Sequence, residues 1–196
     1  MTADLDLQRV CLKILTDAPV SQKLDPFLAI FGRWRTDAAD PAQWVDLADY
    51  AHMARGPGIV LIGHRCNFSF DLGTAAPGVL YCSKQGLAGS LEARLTAVFQ
   101  HSFALAGRLV AEPEFPAGVH LRTGALELVF NDRLETPNNG AVNAVLRPAV
   151  ATVLDKLFGP GAYRLTPGAD PARRLGFAIE SPDAVALEVL SRRLPA

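Results

Sequence analysis

The stretch IVLIGHRCNFSFDL, residues 59–72, contains two predicted strands. Ile59 to Gly63 is apolar on both faces, which is typical of a central strand. Residues 67–72 alternate instead, with Phe and Leu side chains on one face. The other face of that segment carries Asn67, Ser69 and Asp71. The stretch therefore predicts a central strand followed by a strand with one polar face.

Outward from this stretch, alternating or apolar segments predict further strands and spaced apolar residues predict helices. The remaining strands are expected at 9–16, 44–50, 79–83, 119–122, 125–134, 163–166 and 176–180, with 119–122 and 125–134 joined as a hairpin around Thr123-Gly124. Helices are expected near 26–34, from Ser90 to before Pro113, and over 142–158. Ser181-Pro182-Asp183 marks the start of a last helix.

Two details of the helical segments carry specific expectations. Pro148 lies inside the third helix and predicts a kink or a new helix start there. The order strand, helix, strand, strand occurs at 9–63 and again at 125–180, which suggests a duplicated unit. We expect one α+β domain over residues 1–196, with a mixed, mostly antiparallel sheet packed by three to four helices.

Composition narrows the classes of partner. The 196 residues are 49% hydrophobic and 20% charged, with a formal net charge of -1 and arginines scattered along the chain. Nucleic-acid surfaces need clustered positive charge, so we expect no nucleic acid. No apolar run is long enough to cross a membrane, and the first residues do not resemble a secretory signal. High apolar content favours a homodimer or a protein partner.

The three cysteines, Cys11, Cys66 and Cys82, are widely spaced and form no Cys-x-x-Cys pair. This usage predicts reduced thiols and a cytoplasmic protein, with Cys11 and Cys82 as small core residues. His64-x-Cys66 with Cys82 matches no zinc spacing, so no metal site is predicted. The motifs of the large enzyme families are missing, and the cofactor stays unknown.

Three phrases carry a resemblance: GPGIVLIGH at 56–64, NFSFD at 67–71 and NDRLETPN at 131–138. They are similar to a family of uncharacterised bacterial cytosolic proteins, and the similarity extends from about Leu24 to Glu180. The resemblance implies a bacterial cytosolic protein, and it carries over no catalytic residue because no activity is assigned to that family. The chain departs from the family's pattern after His64, because it has Arg65 where the family has an acidic residue.

The first candidate site combines His64 with the polar face of the following strand, Asn67, Ser69 and Asp71. Histidine titrates near neutral pH, and Asp71 would orient it as an acid/base pair. The alternative is an antiparallel strand whose polar face lies in water.

The second candidate site is Asn131, Asp132 and Arg133, where the guanidinium would bind a carboxylate or phosphate. Asn and Asp also collect at turns for conformational reasons, so a structural role stays open. If the two halves pack symmetrically, His64 and Asn131 would share a cleft.

Two functions therefore remain open. One is a non-catalytic binding or assembly module for a small molecule or protein partner. The other is a small-molecule enzyme with His64 and Asp71 as acid/base pair and Arg133 or Asn67 fixing an anionic substrate.

Overall fold

The computed structural model describes residues 5–18, 23–37, 39–40, 43–73, 76–182 and 185–194. These ranges contain eight strands and four helices. The strands are β1 (Val10–Thr16), β2 (Trp44–Asp49), β3 (Ile59–Gly63), β4 (Cys66–Asp71), β5 (Gly78–Ser83), β6 (Leu121–Phe130), β7 (Arg164–Pro167) and β8 (Gly176–Glu180). The helices are α1 (Asp25–Thr36), α2 (Leu91–Val110), α3 (Gly140–Phe158) and α4 (Leu187–Arg193). The expected α+β class is confirmed.

The strands form one sheet in the order β2-β3-β4-β5-β1-β6-β8-β7, and every neighbouring pair is antiparallel. Both halves of the chain follow the same path. A central strand, β1 or β6, leads through a helix to an edge strand, and a meander returns to pair with the starting strand. The meander has four strands in the first half and two in the second, so the two halves differ in size.

The helices cover one face of the sheet. On β4, Phe70 stacks on Phe27 of α1 with ring centroids 3.9 Å apart, and Phe68 contacts Phe31 of the same helix. Tyr81 of β5 lies on the same face and contacts His101 of α2. Helices α3 and α4 pack against α2, and the buried residues of all four helices join one hydrophobic core.

Two local expectations were wrong, and one of the two alternatives at Pro148 is excluded. Thr123-Gly124 is not a hairpin turn, because β6 runs through it and absorbs the extra residues where its register with β1 shifts between Ile14 and Thr16. Helix α3 continues through Pro148 as one helix, so no new helix starts there. The last helix begins at Leu187, and the Ser181 hydroxyl donates to the Ala162 carbonyl instead of capping it. Asp183 lies outside the described residues.

Candidate functional site

The sheet face opposite the helices, here called the open face, carries the polar side of β4. Alternation puts Asn67, Ser69 and Asp71 there, as the sequence predicts. These side chains do not form a water-exposed face, however, because Ser69 is 4% exposed and Asp71 is 7% exposed. Buried polar groups need partners, and Asp71 has a charged one.

Lys13 on β1 is the partner of Asp71. Its Nζ lies 2.6 Å from Asp71 Oδ2 and donates a second hydrogen bond of 2.7 Å to the Gly73 carbonyl. The Lys13 side chain is 3% exposed, so this is a buried ion pair with an additional backbone acceptor. Removing either partner of such a pair destabilises the fold, because the other charge stays buried without a counter-ion.

Gly78 makes this contact possible. Strand β5 lies between β1 and β4, and Gly78 pairs with Asp71 on one side and Leu15 on the other. A Cβ at residue 78 would come within 3.0 Å of Lys13 Cε, so the missing side chain leaves room for the lysine to cross β5.

One row further along the open face, Cys11 and Cys82 form a disulfide. They occupy directly opposite positions of β1 and β5, with Cα atoms 4.0 Å apart. This corrects the expectation of three reduced thiols, which used sequence spacing and could not see the strand register. Cys66 alternates to the helix-covered face and is a free, buried thiol.

Asn67 lies beside this disulfide, in register with Cys82 on the neighbouring strand. Its Oδ1 atom is buried and has no hydrogen-bond partner. Buried acceptors without partners are rare in folded proteins. The unsatisfied amide oxygen and the disulfide therefore lie next to each other.

The structure does not bring His64 and Asp71 together. His64 is exposed in the turn before β4, and Asp71 is the last residue of that strand. An extended chain of this length separates them by about 20 Å. Because Asp71 is also engaged by Lys13, the expected acid/base pair is not formed.

The second candidate set makes hydrogen bonds that stabilise the neighbouring loops. Asp132 Oδ1 accepts from the Leu134 amide, and Arg133 donates to the Ala172 carbonyl. Asn131 Oδ1 accepts from Arg174 at 2.8 Å. These contacts support the structural role left open by the sequence. His64 and Asn131 lie at the same end of the sheet, but β5 and β1 stand between their strands, so about 14 Å separates β4 from β6.

At that end, basic residues that are far apart in sequence adjoin four of the five strands that share one row of paired residues. The row of paired residues Asn67, Cys82, Cys11, Val129 and Gly176 crosses β4, β5, β1, β6 and β8. Two residues from this row, at the same end of the sheet and just outside each strand, lie the residues that we call the basic row: Arg65, Lys84, Arg9, Asn131 and Arg174.

Backbone hydrogen bonds join two neighbouring pairs of residues in the basic row. The Lys84 amide donates to the Arg65 carbonyl at 2.8 Å, and the Asn131 amide donates to the Arg9 carbonyl at 2.6 Å. Arg9, Arg65 and Arg174 are exposed, while Lys84 is half-buried and donates from Nζ to the Gly63 carbonyl. With strands about 4.8 Å apart, the row is about 19 Å long. Four positive charges therefore line one rim of the open face.

The surroundings reinforce the positive potential of this rim. Helices α2 and α3 both begin at this end, after the loops that follow β5 and β6, and helix N-termini carry partial positive charge. Of the nearby acids, Asp6 pairs with Arg94 and Asp170 lies 3.5 Å from Arg173, while Asp132, next to Asn131, accepts hydrogen bonds from backbone amides of the following turn.

A second polar cluster lies on the helix-covered face. Tyr81 interacts with the Cys66 thiol, and its hydroxyl lies 3.3 Å from His101 Nδ1. Burial raises the pKa of the Cys66 thiol to about 11, against a smaller opposing effect of Lys84. Burial also raises the pKa of Tyr81 and lowers that of His101. These shifts favour the neutral forms, so Cys66 is not an activated nucleophile.

Sequence reasoning missed Lys13, the disulfide and the basic row. Within the described ranges, no cluster of three or more His, Cys, Asp or Glu side chains is arranged to hold a metal, and no helix is long and apolar enough to span a membrane. Neither a protein-family model nor a curated protein matches the chain.

Proposed function

We propose that this protein is a non-catalytic binding module that recognises an acidic segment of a protein partner along the basic row. The observation that carries the proposal is that Arg65, Lys84, Arg9 and Arg174 each lie two residues from one row of paired residues, just outside the ends of β4, β5, β1 and β8. The whole chain has a net charge of -1, so the positive potential is local to this rim. Local charge of this kind selects and orients an oppositely charged partner.

The shape of the site favours an extended polymer over a small molecule. Small-molecule sites are concave and enclose their ligand, whereas the basic row is an open line about 19 Å long. An extended peptide of about six residues has that length.

An acidic peptide also suits the row better than a nucleic acid does. Single-stranded nucleic acids bind by stacking bases on exposed aromatic side chains. Within the described ranges the exposed residue among phenylalanine, tyrosine and tryptophan is Tyr50, which follows β2 at the opposite end of the sheet. Carboxylates need only the guanidinium and ammonium groups that the row presents.

The test is fluorescence anisotropy with fluorescein-labelled octaglutamate, using the untagged protein in 50 mM salt. We expect binding that weakens at 300 mM salt, and a loss of about fivefold to tenfold in affinity for the double variant Arg9→Gln, Arg174→Gln. The matched control is Arg122→Gln with Arg147→Gln, which removes the same charge at exposed positions on β6 and α3, away from the row. This control should bind as the unmodified protein does.

Other outcomes would contradict the proposal. Equal losses in both double variants would mean that only net charge matters. Stronger binding to a labelled octathymidylate, or to vesicles containing phosphatidylserine, would replace the acidic peptide by a nucleic acid or a lipid surface. A homodimer in native mass spectrometry that dissociates when the row is neutralised would assign the row to self-association.

A further inference from the structure

We propose that Cys11 and Cys82 form a reversible redox site, reduced and reoxidised by exchange with a small dithiol or its disulfide. The first support is position: the bond joins directly opposite residues of two paired strands. Backbone pairing alone holds such residues together, so the sheet keeps the two sulfur atoms adjacent in either redox state. Reduction therefore needs no rearrangement of the fold.

Access and charge provide the second support. Cys11 is 4% exposed, whereas Cys82 is half-buried on the face that no described helix covers. Arg9 lies two residues from Cys11, and Lys84, whose Nζ donates to the Gly63 carbonyl, lies two residues from Cys82. Nearby positive charge stabilises a thiolate, which speeds thiol–disulfide exchange.

The third support is the unsatisfied amide oxygen of Asn67. It is buried and lacks a donor while Cys82 is in the disulfide. After reduction, the Cys82 thiol is a donor at the paired position on the next strand, where Cβ atoms are about 5 Å apart. Asn67 thus favours the reduced state, in which its acceptor gains a partner.

Reduction of the protein proceeds by two thiol–disulfide exchange steps. A thiolate of the dithiol attacks the Sγ atom of Cys82, the more exposed of the two cysteines, and forms a mixed disulfide. The Cys11–Cys82 bond breaks, and its electron pair leaves with Cys11 Sγ, which takes up a proton. The second thiol of the reagent then attacks the mixed disulfide and releases Cys82. Two electrons reduce the protein, and the reagent is oxidised to its cyclic disulfide.

Cys66 does not take part in this exchange, which makes it an internal reference. It alternates to the helix-covered face and is buried against Tyr81. After acid quenching, unfolding and treatment with N-ethylmaleimide, the oxidised chain should carry one adduct and the reduced chain three.

The experiment equilibrates the full chain with defined ratios of reduced and oxidised dithiothreitol, from both directions, and counts adducts by intact mass. We expect a reversible change between one and three adducts while the circular dichroism stays that of the folded protein. Asn67→Leu should need a ratio about fivefold more reducing for half conversion. Ser69→Ala, on the same strand and face, should leave the ratio unchanged.

Rates provide a second measurement if Asn67→Leu does not fold. Lys84→Gln and Arg9→Gln should each slow reduction by about threefold, and Arg122→Gln, at the other end of β6, should not. Three results would overturn the proposal: no Cys11–Cys82 bond after treatment with oxidised dithiothreitol, reduction only when the protein unfolds, or an unchanged ratio in Asn67→Leu together with unchanged rates in Lys84→Gln and Arg9→Gln.

Discussion

Lys13 Nζ lies 2.6 Å from Asp71 Oδ2 although their strands, β1 and β4, do not pair with each other. The lysine crosses the intervening strand at Gly78 and also reaches the Gly73 carbonyl. This contact connects β1 with β4 and with the loop that follows β4, on the open face. It also uses the aspartate that the sequence assigns to acid/base chemistry.

Removing the positive partner should therefore destabilise the fold. Lys13→Met leaves Asp71 buried without its counter-ion, and we expect a loss of about 3 to 5 kcal/mol in the free energy of unfolding. Urea denaturation followed by circular dichroism measures this. The double variant Lys13→Met, Asp71→Leu removes both charges and should recover much of the loss. A double variant no better than the single one would mean that packing, and not charge pairing, holds this region.

Gly78→Ala tests the crossing itself. A Cβ there would lie 2.4 Å from the Ile14 carbonyl oxygen and 3.0 Å from Lys13 Cε, so backbone or lysine must move. We expect a loss of about 2 to 4 kcal/mol in the free energy of unfolding. Gly107→Ala is the matched control, because its Cβ meets nothing within 4 Å. Inside α2 it should instead stabilise by about 0.5 to 1 kcal/mol. Equal effects of the two substitutions would contradict this account.

The buried thiol of Cys66 gives a pH dependence with a definite sign. Burial raises the pKa of this thiol from 9.0 to about 11 in the folded state. The fold therefore favours the protonated form, and this contribution to stability is complete below pH 9 and is lost as pH rises through the folded value. Two units correspond to about 2 to 3 kcal/mol.

The measurement compares unfolding free energies at pH 8 and pH 11 for the unmodified protein and Cys66→Ala. The variant should start less stable but lose about 2 kcal/mol less across this interval. Burial is the largest cause of the raised pKa of Tyr81 and remains in the variant, whereas the smaller contribution of Cys66 to that pKa is removed together with the thiol and acts in the same direction. Identical losses would show that the thiol does not contribute.

The elements with strong local patterns could be predicted from the sequence. Residues 91–110 and 140–158 have apolar side chains at helical spacing, and both form helices of nearly the expected extent. The β4 face was also predicted correctly, since strand alternation alone determines it. The error at Thr123-Gly124 arose because residues typical of turns were absorbed by a register shift between two paired strands.

The site could not be predicted in the same way, because it depends on which strands become neighbours. Arg9, Arg65 and Arg174 appear scattered in the sequence, and this suggested that no basic surface exists. The strand order places them in one row. The pairing of Cys11 with Cys82 is likewise a consequence of register, 71 residues apart in the chain.

Asp40 should be required for the junction of α1, α2 and β2. Its side chain is 1% exposed, and Oδ2 accepts hydrogen bonds from Trp44 Nε1 at 3.1 Å and from Arg108 at 2.5 Å. The Arg108 guanidinium also lies 3.9 Å from the centre of the Trp34 ring, so one carboxylate positions a cation that joins two helices.

Asp40→Asn keeps the shape of this side chain but removes the charge that Arg108 faces. We expect a loss of about 2 kcal/mol in the free energy of unfolding, because hydrogen bonds to charged groups are stronger than neutral ones. Glu135→Gln, at an exposed position, removes the same charge and should change stability by less than about 0.5 kcal/mol. The double variant Asp40→Asn, Arg108→Leu should lose less free energy of unfolding than the two single variants added together, since the two residues share one interaction. Strict additivity in this cycle would mean that the carboxylate and the guanidinium act independently.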